Sequence, residues 1–160
     1  MIEIDFKTLC DQGYASDEYH QLYVVFNGKG DVLYIGITRR NVWERWFGFG
    51  GHMIYDKGRF LGLSAIGTKI EDHLPDSLKW KMQLWTLEDC ATYCKDLLPS
   101  TKRRLTIEFL EPYMIQKLSP SLNVIYNLTP GIDTTPKSSK ELKREKLLHD
   151  MYKKIFDKDE

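Results

Sequence analysis

The residues best suited to chemistry lie in "QLYVVFNGKGDVLYIGIT", Gln21 to Thr38, and in "NVWERWF" just after it. Two short runs rich in Val, Ile, Tyr and Phe flank "NGKGD". That is the pattern of a β-hairpin, with Gly28 and Gly30 freeing the turn. Each run carries a tyrosine, Tyr23 and Tyr34, expected near the same level of adjacent strands. A cross-strand aromatic pair would account for both, at only ~0.2–1 kcal/mol. The neighbouring residues ask for more than packing. Gly36 lets another group approach the backbone closely just after Tyr34. Arg45 falls in the first turn or so of the helix expected after Asn41. Helical side chains lean toward the N-terminus, so Arg45 is aimed back at the end of the Tyr34 strand. Two phenols and a guanidinium then converge at a glycine, an arrangement that packing does not require.

The surrounding elements must hold these groups in place. Asn41 caps the helix start, Glu44 is spaced to complete a capping box, and Gly48, Gly50 and Gly51 stop the helix. Residues 52–78 show no sustained period and are punctuated by Gly58, Gly62, Gly67 and Pro75. They read as a long irregular insertion, of the kind that serves function in compact domains. "KWKMQLWTL" alternates, with Trp80, Met82 and Leu84 on one face, and reads as a third strand. "EDCATYCKDLL" and "TKRRLTIEFLEPYMIQKL" read as helices, the second with an internal Pro112. "SPSLNVIYNLTPG" is a loop or edge segment, and "TTPKSS" a hinge. "SKELKREKLLHDMYKKIF" is a charged terminal helix, with Ser138 and Glu141 spaced as a capping box. Residues 1–20 are ambiguous, with a short helix around "FKTLCDQ". There are no internal repeats. The order predicts an α/β (α+β) fold with a small, mainly antiparallel three-stranded sheet flanked by helices. Its organisation is an N-terminal extension at 1–20, one domain at 21–130, and a hinge with its C-terminal helix at 131–160.

Composition narrows the partners. A chain of 160 residues fits one domain with one real core. Its 23 Lys and Arg balance 23 Asp and Glu, so any polyanion must be met by a local basic patch. The cysteines, Cys10, Cys90 and Cys94, are odd in number, and "MIEIDFKTLCDQ" mixes acids into its apolar run unlike a secretory signal. An intracellular, reducing setting is expected, cytoplasmic or nucleoid-associated. No apolar run approaches bilayer-spanning length, so no membrane partner is expected.

The ordered set "QLY", "YIG", "TRRNVWERW" and "LEPYMIQKLSPSLN" resembles the GIY-YIG nucleases. The last segment supplies Glu111, Ile115, Pro120 and Asn123 at the family's spacing, and the match covers roughly residues 21–47 and 105–123. The first motif departs from Gly-Ile-Tyr and keeps only its tyrosine. Many members carry a histidine one helical turn after the arginine. Phe49 stands there in this chain, and the nearest histidine, His52, lies beyond the glycines.

The resemblance implies a metal-dependent endonuclease hydrolysing phosphodiester bonds in DNA, double-stranded by expectation. Such chemistry needs a base for water, positive charge on the phosphate and support for the leaving oxygen. Tyr23 would be the general base and Tyr34 its partner in positioning water. Only about one free phenol in a thousand is ionised at neutral pH, so Tyr23 needs a cationic neighbour. Arg45 would clamp the phosphate with its planar fork. Glu111 would hold one Mg²⁺ (or Mn²⁺), a hard ion that needs few protein carboxylates. Gly36, Arg39, Arg40, His52 and Asn123 are expected around the substrate, with Asn123 tying the loop rather than touching it. Pro112 should kink the helix or mark a fresh start, setting Glu111 apart from Glu108.

Other features carry simpler readings. Cys90 and Cys94 are one helical turn apart, but neither His73 nor Cys10 completes a zinc spacing, so they read as small buried hydrophobes. "KRR" at 102–104 and "RR" at 39–40 are solvated charge that would also reach phosphates beside such a site. Trp43, Trp46, Phe47 and Phe49 read as mostly core, with room for one exposed ring to wedge or stack against bases. The terminal helix packs on the domain, pairs with a second copy as a homodimer, or adds a basic arm to DNA. Two rival functions stand beside the nuclease: a catalytically silent nucleic-acid-binding module on the same fold, and an interaction domain led by the terminal helix. With no zinc cluster, long linker or second domain, the nuclease reading is of a compact, restriction-like enzyme that reads sequence through residues 52–78.

Overall fold

The computed structural model describes residues 1–12, 19–57, 59–100 and 104–156. The expected hairpin is present as β2 (His20–Phe26) and β3 (Val32–Ile37), and "KMQLWT" forms β6 (Lys81–Thr86). The sheet has four strands rather than three. β1 (Ile2–Asp5) leaves the ambiguous N-terminal stretch and pairs antiparallel with β6, giving the order β1-β6-β2-β3. Four residues with alternating acids are too short for a period-2 signal, and only pairing to β6 makes them a strand. The helix expected at "FKTLCDQ" follows as α1 (Phe6–Gln12). All the pairings in this sheet are antiparallel.

β2 is central and covered on both faces, which is why "LYVVF" reads as a continuous apolar run. Tyr23, Val25, Met82 and Leu84 face a core shared with α1, α2 (Val42–Phe47) and α3 (Ala65–Asp72). Leu22, Val24, Ile35 and Trp85 face the second core, under α4 (Leu87–Tyr93) and α5 (Ile107–Leu118). Cys90 and Cys94 are buried in this second core, as small hydrophobes would be. Burial pushes the Cys90 thiol up to about 12 and raises that of Cys94 as well.

The region 52–78 is not irregular. It holds a hairpin of β4 (Met53–Asp56) and β5 (Arg59–Gly62), then α3, and a single 3-10 turn at Asp76–Lys79. Close glycine packing makes this possible and hides it from a periodicity reading. A Cβ on Gly67 would stand 2.0 Å from the His52 carbonyl oxygen, and one on Gly62 2.2 Å from the Thr68 nitrogen. Both helices after β6 are shorter than expected, ending at Tyr93 and starting at Ile107. The Thr86–Asp89 capping box fixes the start of α4, and the Thr106 side chain caps α5. α5 continues through Pro112 without a fresh start, the proline only denying a helical donor to the Glu108 carbonyl.

The hinge is tied down. Asp31 accepts from the Thr134 amide at 2.9 Å, Asn27 donates to Thr135 Oγ1 at 2.9 Å, and His73 Nε2 lies 2.9 Å from the Pro136 oxygen. α6 (Ser139–Phe156) opens with the expected capping box and is held to α3 by Lys69–Glu141 at 2.7 Å and Arg144–Asp72 at 2.8 Å. No helix among the described residues is long and apolar enough to cross a membrane.

Candidate active site

Tyr23 enters from the central strand and lies opposite Gly36 of β3, not opposite Tyr34, which pairs with Val25. The two tyrosines are therefore diagonal neighbours on one face, with ring centroids 6.3 Å apart. The group that needs the bare backbone at Gly36 is Tyr23 itself. A Cβ on Gly36 would stand 2.3 Å from the Tyr23 hydroxyl oxygen and 2.5 Å from Cζ. The glycine lets a fully buried phenol lie across the neighbouring strand.

α2 and the turn behind it supply the next two groups. The Asn41 side chain caps α2 by accepting from the Glu44 amide. The turn closes through Gly51 N–H to Gly48 O at 2.9 Å and His52 N–H to Arg45 O at 3.3 Å. Gly51 is pressed to the helix end, since a Cβ there would stand 2.6 Å from the Trp46 oxygen. This close turn folds His52 back under α2. Its Nε2 lies 2.5 Å from the Tyr23 hydroxyl and its Nδ1 2.7 Å from Ser64 Oγ, while its ring packs 4.7 Å from that of Trp46. Phe49 sits at the turn's tip 98% exposed, the ring of this aromatic set that leaves the core. Flanking glycines carry its ring off the surface.

Ser64 is a functional candidate that sequence reading missed. It caps α3, accepting from the Gly67 amide at 3.2 Å, and contacts the imidazole with the same oxygen. A serine just before the apolar-periodic "AIGTKI" was the available signal. With the proton on Nδ1 and donated to Ser64, Nε2 is free to accept the Tyr23 hydroxyl.

Across the face stands Glu111 of α5, half-buried, with no hydrogen-bond or salt-bridge partner among the described residues. It shares a cavity of about 330 Å³ with Tyr34, Ile115, Leu122 and the segment Asn123–Tyr126. Its near neighbour Glu108 turns outward and is bound to Arg39 at 2.9 Å. The orientation of α5 over β3 separates the two carboxylates, rather than the proline. Arg39 and Arg40 are exposed. Lys102 and Arg103 lie outside the described residues, and Arg104 is exposed. Asn123 bonds the backbone of Ile35 in both directions, at 2.8 and 2.9 Å. With the Ser121 and Leu122 amides, which donate to Val32 and Leu33, it covers the open edge of β3.

Burial governs the charges. It raises the Tyr23 and Tyr34 phenols above their usual range, and the Arg45 cation opposes both rises. Burial and then Arg45 lower the His52 imidazole to about 4, so it is neutral at neutral pH. Burial raises the Glu111 carboxyl, and the charge of Glu108 adds to the rise. A half-buried carboxylate without a partner, beside an open cavity, suits a hard hydrated cation that takes one protein ligand and keeps its waters. Glu111 is thus the residue that would hold Mg²⁺ or Mn²⁺. Among the described residues no group of three or more His, Cys, Asp or Glu forms a metal cluster.

No protein-family model, curated protein or solved structure matches the chain.

Proposed function

We propose that the chain is a metal-dependent endonuclease of the GIY-YIG kind, cleaving phosphodiester bonds in DNA. The observation that carries this reading is the buried chain Tyr23–His52–Ser64, flanked by Arg45 and facing the unpartnered Glu111. A fully buried phenol needs a hydrogen-bond partner, and here that partner is a second titratable group able to take its proton, itself backed by a serine.

Each residue then has a task. Tyr23 Oη takes a proton from the attacking water as its own passes to His52 Nε2, and Ser64 holds the resulting imidazolium through Nδ1–H. At rest the chain stays neutral, because burial disfavours both the phenolate and the imidazolium. Tyr34 hydrogen-bonds the water in place. Arg45 meets the non-bridging oxygens with two parallel N–H donors, a geometry lysine cannot offer. When bound, the cation at Glu111 supplies Lewis-acid stabilisation of the charge that grows on the phosphate and leaving oxygen. Asn123 keeps the loop after α5 on β3, so Glu111 and Tyr34 face one cavity.

The test is incubation of the purified protein with plasmid, single-stranded DNA and RNA, in Mg²⁺ and in chelator, beside the variant Tyr23→Phe. Cleavage of DNA that needs the metal and is lost in Tyr23→Phe, with binding retained, is expected. Near-normal cleavage by that variant would remove the tyrosine from the reaction.

A further inference from the structure

Tyr126 combines three observations that packing does not account for. Its backbone φ is 64°, a left-handed conformation that a bulky residue rarely adopts. The residue is 54% exposed, so burial offsets only part of the strain. It also lines the cavity that holds Tyr34 and Glu111. The conformation is enforced from both sides. Asn123 is locked onto Ile35 of β3, and the Asn127 side chain donates to the Asn123 oxygen at 3.2 Å and to the Pro120 oxygen. Strain over-determined in this way, at the mouth of a cavity, marks a side chain placed for a ligand.

The cavity is chemically mixed. Its lining joins the polar Tyr34, Glu111 and Asn123 to the apolar Ile115, Leu122, Val124 and Ile125, with Tyr126 beside them. A nucleotide is mixed in the same way, a charged phosphate and an aromatic base. At about 330 Å³ the cavity lies at the small end of ligand sites, with room for about one nucleotide.

We propose that Tyr126 stacks on the base of a single unstacked nucleotide beside the phosphate at the Tyr34–Glu111 site. This rests on the nuclease reading and narrows its substrate to nucleic acid with a base out of the helical stack, either in a single strand or extruded from a duplex. Stacking on an aromatic ring is tolerant of base identity, so the contact positions the strand without reading its sequence.

The experiment measures binding in chelator, where no cleavage occurs, using oligonucleotides that carry 2-aminopurine. The probes are a single strand, the fully paired duplex, and a duplex with one unpaired 2-aminopurine. For the intact chain, fluorescence quenching on the single strand and the unpaired probe is expected. Tyr126→Phe should keep that quenching, and Tyr126→Gly should lose it with binding at least about fivefold weaker. The urea midpoint of Tyr126→Gly should be unchanged or raised, because glycine accepts the left-handed backbone freely. A lowered midpoint would make the ring structural and overturn the proposal. Intact binding and quenching in Tyr126→Gly would overturn it while leaving the nuclease reading standing. Failure of the unaltered protein to bind any probe would remove both.

Discussion

The Tyr23 hydroxyl and His52 Nε2 lie 2.5 Å apart although 29 positions separate them in the chain. The tyrosine comes from the central strand of the sheet. The histidine comes from the start of the 52–78 segment, folded back by a glycine turn and held from behind by the cap of α3. Both side chains are buried, and burial holds both in their neutral forms at rest.

The first consequence concerns pH. His52 titrates at about 4 in the folded chain because burial disfavours its cation, against 6.5 for an ordinary histidine. As pH falls, the unfolded chain takes up this proton first. The stability contributed by keeping His52 neutral is therefore full above pH 6.5, declines below it, and is exhausted near pH 4. The whole effect is about 3 kcal/mol on the usual conversion. Urea unfolding of wild type and His52→Gln between pH 7.5 and 4.5 measures it. The difference between the two proteins should shrink steadily on acidification, and a constant difference would show that the imidazole is not the titrating group.

Gly36 should be as critical as the tyrosine above it. An alanine Cβ there would overlap the Tyr23 hydroxyl and Cζ, and both are fixed by His52. Gly36→Ala is expected to cost about 1–3 kcal/mol through overpacking. It should also lower cleavage beyond the effect on the folded fraction, since the phenol must leave His52. Denaturation and turnover measured on the same sample separate the two. An alanine variant of normal activity and stability would place the ring elsewhere.

The two carboxylates of α5 should behave oppositely. Glu108 is on the exposed side, paired with Arg39, so Glu108→Gln removes a solvent-screened surface ion pair and leaves cleavage nearly intact. Glu111→Gln removes the one acid lining the cavity among the described residues, so metal-dependent cleavage should fall steeply. DNA binding should hold or tighten with one negative charge fewer beside the phosphate. Metal titrations followed by cleavage of both variants decide the matter, and a dead Glu108→Gln beside an active Glu111→Gln would exchange their roles.

The C-terminal segment should matter for stability more than for chemistry. Deleting residues 137–160 takes Glu141 from Lys69, which is only 11% exposed, and Arg144 from Asp72. Asp133 remains as a partner for Lys69. A loss of about 1–3 kcal/mol is expected from buried polar groups left short of partners, with the truncated chain still folded and still cleaving. An unchanged urea midpoint would show that these ion pairs add nothing.

Local rules sufficed for the hairpin, the central strand's apolar run, α1, α2 and the capped terminal helix, because turn glycines, caps and periodicity act within a few residues. They also drew attention to Tyr23, Tyr34, Gly36 and Arg45, while Glu111 stands out only through the resemblance to the GIY-YIG nucleases. What they missed depends on contacts distant in the chain. β1 is a strand only because β6 lies beside it. The hairpin and helix of residues 52–78 are set by glycine contacts too close for any side chain, which leave no hydrophobic period. Three outcomes at the site needed the full packing: His52 on Tyr23, Ser64 behind it, and Glu111 inward while Glu108 faces Arg39. Sequence spacing determines which residues share an element. Only tertiary structure decides which side chains meet across elements, because that depends on how sheet and helices lie against one another.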